Sequence, residues 1–315
     1  MSKDPIRGCI ESHYANQGTI DWKYLNGTDY VLCDCTDCRL IYQKYVPKAN
    51  LLDQIYNVMV SAAFLREHER TLLTVDNFEN IAGELAVLFR IINKHPTKIL
   101  FLDHGLGYSR WARVAKAMGA KVFGTEISAE KIDVARMLGI EIVPDDILSD
   151  MRFDIIHTEQ VLEHLTEPAE DFRRLASQLA PEGIIKVAVP PQGEIRKQLK
   201  AHGMMNWSPQ VGMLEGSQKE TAKDRDYVSI LPLEHLNAFS PRSMHLLSKD
   251  CHLKLVSRVR RQAVPLYISS GPLVLRSVIQ LSKVVLRPVF RRDSGYYLFA
   301  RSRSNPSFAD RRVAS

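Results

Sequence analysis

The chain has no run of 18 apolar residues, so no stretch of its sequence reads as a membrane-spanning helix. Its amino terminus, MSKDPIRGCIESHY, lacks the basic-then-apolar pattern of a secretory signal, and a cytoplasmic protein is the expectation. The five cysteines are an odd number, and three of them crowd between Cys33 and Cys38. That argues against a disulfide framework and is compatible with reduced thiols. No internal repeat or low-complexity tract is evident, and no spread of cationic residues interleaved with stacking aromatics marks a nucleic-acid groove.

What is present is ordinary globular composition. With 45% hydrophobic and 25% charged side chains over 315 residues, the chain suffices for one α/β domain and a smaller appendage. Its net charge of +6 is a property of the C-terminal part: residues 251–315 carry 13 Lys/Arg against two Asp, leaving 29 basic against 34 acidic residues elsewhere. The basic residues there lie beside the apolar run GPLVLRSVIQLSKVVLRPVF. On a helix, Arg276, Lys283 and Arg287 share one face, so 271–292 reads either as a surface helix with a solvated basic stripe or as a peripheral contact with an anionic membrane.

The organisation predicted along the chain is a Cys-containing module (1–48), a helical cap (49–96), an α/β domain (97–304) interrupted at 191–231, and a basic tail (305–315). From Asn50 to Asn93 apolar residues recur at three and four spacing, which predicts two or more helices before His95-Pro96 breaks the pattern. Short apolar segments then alternate with helical ones: KILFLD, a helix over 109–118, KVFGTE, a helix over 129–138, IEIV, FDIIH, a helix over 169–179, and GIIKVAVP. That alternation predicts a Rossmann-like, doubly wound, mostly parallel sheet of seven strands.

In such sheets a ligand sits over the carboxyl ends of the strands, where the first Gly-rich turn lies. Here that turn is FLDHGLGYSRWAR, in which Gly105 and Gly107 permit a tight turn and the following helix offers a positive end. The dinucleotide fingerprint wants a third glycine where Arg110 stands, and no Gly-Lys-Ser/Thr follows, so a pyrophosphate and a P-loop are both disfavoured. Three carboxylates sit at successive strand ends. Asp103 precedes the turn, Glu126 lies where a carboxylate accepts hydrogen bonds from ribose hydroxyls, and Asp146 follows the third strand.

These residues resemble the class I S-adenosylmethionine-dependent methyltransferases, in the branch that looks like the ubiquinone-biosynthesis O-methyltransferases. LFLDHGLGYSRWA resembles the first motif of that family, with Ser109 replacing its third glycine, and VFGTEIS the second. RFDIIHTEQVLEHLTEP, LAPEGIIKVAVP and LEHLNAFSPRSMHLL resemble later segments. The resemblance covers roughly 97–190 and 232–256 and implies an S-adenosylmethionine pocket. In it, Asp103, Gly105 and Gly107 would border the methionine portion, Glu126 and Ile127 the ribose and adenine, Asp146 and Ile147 the adenine edge, and Glu159 the sulfonium side. A donor without phosphates makes the third glycine dispensable.

Methyl transfer is an in-line displacement, so the protein positions the reactants and in some cases removes a proton. His164 and His235 are candidate bases, His157 a third, and Glu163 would orient His164 or help hold a divalent metal. The excursion between Pro190 and Leu231 reads as a lid or substrate wall. VLCDCTDCRLIY resembles one knuckle of a zinc ribbon; Cys9, His13, Cys35 and Cys38 would complete a tetrahedral site, or the hairpin persists without metal. The expected function is therefore S-adenosylmethionine-dependent methylation, on a hydroxyl of a small-molecule, sugar or lipid-linked acceptor. A non-catalytic methyltransferase-like binding protein and another Rossmann-type nucleotide enzyme are the alternatives.

Overall fold

A computed structural model describes residues 7, 10–11, 14–15, 17–27, 29–148, 150–192, 195, 230–256 and 295–301. Most of the expected lid, the basic segment 271–292, the tail 305–315, Cys9 and His13 lie outside the described residues.

The central sheet is built from β3 (Leu100–His104), β4 (Lys121–Thr125), β5 (Glu141–Ile142), β6 (Phe153–Glu159), β7 (Leu179–Ala188), β9 (Leu253–Leu255) and β10 (Tyr296–Arg301). Their spatial order is β5-β4-β3-β6-β7-β10-β9, with the first five parallel and β10 antiparallel to both its neighbours. This is the mostly parallel seven-stranded sheet that the alternating pattern predicts.

Its strands read as continuous apolar runs because both faces are buried. Successive residues point to opposite sides. Thus Phe101, Val122, Ile155, Ile184 and Leu298 join one core while Leu102, Phe123, Ile156, Ile185 and Phe299 join the other. The first core is covered by α3 (Val75–Ile92), α4 (Arg110–Ala117) and α5 (Ala129–Met137), the second by α7 (Pro168–Ser177) and α8 (Pro241–Asp250). The helices start where side chains satisfy their first amides. Thr74 Oγ1 accepts from Asn77 N ahead of α3, and Ser240 forms a capping box with Ser243 ahead of α8, where Pro241 fills the first turn.

The expected cap divides in two. Helix α3 is part of the sheet's own layer, burying Ile81, Leu85, Leu88, Phe89 and Ile92 on the side of β6 and β7. Helix α2 (Ala62–Leu72) lines the pocket at the mouth of the sheet, while α1 (Ala49–Gln54) and the π-turn Ile55–Met59 pack in a separate cluster with Ile10, Tyr14 and Leu233. The amino-terminal hairpin, β1 (Leu32–Asp34) and β2 (Ile41–Gln43), pairs through β2 with β8 (Asn237–Ala238). Gln43 Nε2 also donates to the carbonyls of Leu231 and His235, so this hairpin anchors the segment that carries His235. No helix among the described residues is long and apolar enough to cross a membrane.

Candidate active site

The turn after β3 is left-handed at three positions: Gly105 (φ 70°), Gly107 (φ 54°) and Ser109 (φ 65°). A Cβ on Gly105 would stand 2.4 Å from Val161 Cγ2, so space as well as backbone conformation demands glycine there. Ser109, which stands in place of a third glycine, holds the left-handed conformation that a glycine adopts more readily. Its Oγ is buried without a hydrogen-bond partner. Ser109→Gly is therefore expected to raise stability by about 1 kcal/mol in denaturant titration; an unchanged midpoint would show that the turn carries no such strain.

The pocket over this turn is bordered by Asp103, Gly105, Gly107 and Glu159 on the sheet side and by Leu65, His68 and Leu72 of α2 on the other. Arg110, whose bulk argued against a pyrophosphate, pairs with Glu69 of α2 at 3.1 Å and tethers the covering helix. Glu126 is turned into the glycine loop, its carboxylate accepting from the amides of Gly107 (3.0 Å), Ile127 (2.9 Å) and Ser128 (3.0 Å). Ile127 and Ile147 are 83% and 54% exposed, unusual for isoleucines beside a buried sheet edge. Asp146 lies on α6 (Asp145–Leu148), and its side chain is outside the description.

Asp103 is buried and divided between two duties. Its Oδ2 accepts from Ala112 N at 3.1 Å, and its Oδ1 lies 2.7 Å from His157 Nδ1. Burial alone would lower the pKa of His157, but the charge and hydrogen bond of Asp103, helped by Glu159, raise it above the ordinary histidine value. His157, the third candidate base, is thus engaged by Asp103 through Nδ1. Glu159 is held down to about 2 despite its burial, by His157, Lys186 and the Trp111 ring N–H.

Gln160 (φ 56°), a strained residue at the edge of this pocket, leads the chain toward a second cluster. The short 3-10 turn Leu162–His164 carries Glu163 and His164, and the hydrogen bond Leu236 N to Glu163 O (2.7 Å) brings His235 to them. The ligand atoms of Glu163, His164 and His235 all lie within 4.8 Å of one another, and the two imidazoles meet edge to face at 4.6 Å. His164 Nδ1 lies 3.0 Å from the Glu234 carbonyl; with the proton on that nitrogen, Nε2 is the acceptor. Burial lowers the pKa of His164, favouring the neutral imidazole. Glu163 is fully buried with both carboxylate oxygens unpartnered, and burial, with the charge of Glu159, raises its pKa to about 8.

Sequence reasoning named both histidines and Glu163 but missed Tyr56. Its hydroxyl approaches His164 Nδ1 at 3.4 Å from the π-turn, a local feature often found at functional sites. Of the expected zinc ligands, Cys9 and His13 lie outside the described residues. Cys35 and Cys38 share the β1–β2 turn, where Cys38 N donates to Cys35 Sγ at 3.4 Å, but among the described residues no cluster of three metal-ligating side chains includes them.

A family model described as a methyltransferase domain matches residues 76–257, more than half of the chain. The chain belongs to this methyltransferase family. The enzyme class expected from the sequence therefore holds: it is an S-adenosylmethionine-dependent methyltransferase. The match is to the family as a whole and does not select the ubiquinone-biosynthesis branch. No curated protein sequence matches the methyltransferase.

Solved structures similar to the methyltransferase include PKMT2 from Rickettsia typhi in complex with AdoHcy, at 14% identity and a TM-score of 0.43, covering 70% of this chain and 54% of that one. The methyltransferase thus spans about half the length of that protein. Burkholderia thailandensis 1,6-didemethyltoxoflavin-N1-methyltransferase is 14% identical with a TM-score of 0.42, over 84% of this chain and 96% of that one. Magnesium protoporphyrin IX methyltransferase from Synechocystis PCC 6803 is 14% identical with a TM-score of 0.45, over 81% of this chain and 100% of that one.

Proposed function

We propose that this methyltransferase transfers the methyl group of S-adenosylmethionine to a hydroxyl of a small-molecule, sugar or lipid-linked acceptor, with His164 as the proton acceptor. The observation that carries this reading is the approach of Glu163, His164 and His235 one short turn beyond Glu159, whose side chain borders the donor pocket. The donor would lie over the glycine turn with its ribose on Glu126 and its sulfonium toward Glu159. The acceptor oxygen would attack the methyl carbon opposite the sulfur. As the C–O bond forms, the C–S bond breaks, its electron pair returns to sulfur as a neutral thioether, and the hydroxyl proton passes to His164 Nε2.

The same three side chains also fit a divalent cation, because two imidazoles and a buried carboxylate with unpartnered oxygens are a suitable donor set. Such an ion would lower the pKa of an acceptor hydroxyl. The His164 bond to the Glu234 carbonyl is the orientation a ligating histidine needs.

The test is methyl transfer from labelled donor to a panel of phenolic and sugar acceptors, with and without chelator. His164→Ala is expected to lower turnover roughly 10²–10⁴-fold while leaving S-adenosylhomocysteine affinity unchanged. Loss of activity on chelation favours the metal reading. A protein that binds S-adenosylhomocysteine and methylates nothing in the panel favours the non-catalytic alternative.

A further inference from the structure

Lys186 stands in the middle of an apolar strand, GIIKVAVP, and is 5% exposed on β7. Burying an ammonium is costly unless it is paired. Its Nζ lies 3.3 Å from the Trp111 ring centroid, 2.8 Å from Glu84 Oε2 and 3.6 Å from Glu159 Oε2. Glu159 borders the donor pocket, whereas Lys186 is not among its lining residues, so the carboxylate stands toward the ligand and the ammonium behind it. His157 completes the arrangement from β6, with Nδ1 2.7 Å from Asp103 Oδ1 and Nε2 3.5 Å from Glu159 Oε2. The charged groups that meet here are thus Asp103 from β3, His157 and Glu159 from β6, Lys186 from β7 and Glu84 from α3, and across the pocket His68 and Glu69 of α2, Arg110 of α4 and Lys131 of α5 line the same space.

We propose that Lys186 and His157 are positioning residues for the methyl donor: they hold the Asp103 and Glu159 carboxylates aimed at the ligand, so that the pocket favours the cationic sulfonium over the neutral thioether product. This rests on the reading of the pocket as the donor site. Two carboxylates buried together without compensation would take up a proton, and a protonated Glu159 attracts a sulfonium no more than it attracts a thioether. With Lys186 fixed behind Glu159, and His157 beside it in the pocket wall, the negative ends face the ligand without reorganising when it binds. Transfer removes the positive charge from sulfur, and the attraction to the departing product lapses with it. The device acts on the difference between the two ligands, which neither the glycine turn nor the ribose contact can sense.

Calorimetric titration with S-adenosylmethionine and with S-adenosylhomocysteine, between about pH 5.5 and 8.5, tests this. Lys186→Met is expected to weaken the sulfonium ligand roughly tenfold and the thioether less than about threefold. The preference should be lost most completely at the acid end of the range, and Lys186→Arg should restore it. If Lys186→Met does not fold, Glu159→Gln carries the same expectation, since the carboxamide cannot be ionised. Equal weakening of both ligands, or of neither, overturns the proposal while leaving the donor site intact. Failure of the unmodified protein to bind either ligand overturns the donor reading and this inference together.

Discussion

Glu126→Ala is expected to weaken S-adenosylhomocysteine binding by at least about a hundredfold if the proposed reading holds, in which its carboxylate would accept from two ribose hydroxyls through hydrogen bonds worth roughly 1.5–3 kcal/mol each. The structure adds a second cause. The same carboxylate accepts from the amides of Gly107, Ile127 and Ser128, so its removal also releases the glycine turn from the end of β4. The two contributions separate by melting temperature: loss of the turn contacts lowers stability without ligand, whereas loss of the ribose contact lowers only the ligand-induced rise. Calorimetric titration of the purified variant decides the matter, and a change below about threefold would remove Glu126 from the cofactor site.

The second large effect concerns Glu163. With its carboxylate fully buried and unpartnered, the folded protein keeps a proton up to about pH 8 that the unfolded chain releases near 4.5. Between those values unfolding releases this proton, so Glu163 makes stability fall as pH rises, by up to about 1.4 kcal/mol per pH unit. Above about 8 both states are ionised and the penalty stops growing. In the presence of chelator, Glu163→Gln is therefore expected to be more stable than the unmodified protein at pH 7 by a few kcal/mol and to lose most of this slope. Guanidinium titrations from about pH 5 to 8 provide the measurement. Parallel curves for the two proteins would mean that Glu163 is already ionised in the fold, through a cation or a donor that reaches its oxygens.

Local pattern carried much of the architecture. The helix expected over 109–118 is Arg110–Ala117, and that over 169–179 is Pro168–Ser177. Both were legible because an amphipathic period and a preceding strand end are properties of adjacent residues. The division of the helices between cap and core was less so. Helices α2 and α3 share a helical period, and only α3's packing against Phe101 and Ile155 assigns it to the sheet. Lys186 did leave a signal, a charged residue inside GIIKVAVP, but its meaning depends on Glu84, 102 positions earlier in the chain.

By itself the sequence determined the parallel sheet, the glycine turn with its acidic neighbours and the methyltransferase class, since each is written in short segments whose spacing fixes their geometry. Tertiary structure alone decided which charged groups meet. It joined His157 to Asp103, set Lys186 behind Glu159, and brought His235 across 71 residues of chain to Glu163 and His164. The physical reason is range: backbone propensity acts over a few neighbours, whereas the charge state of a buried group depends on every element packed against it.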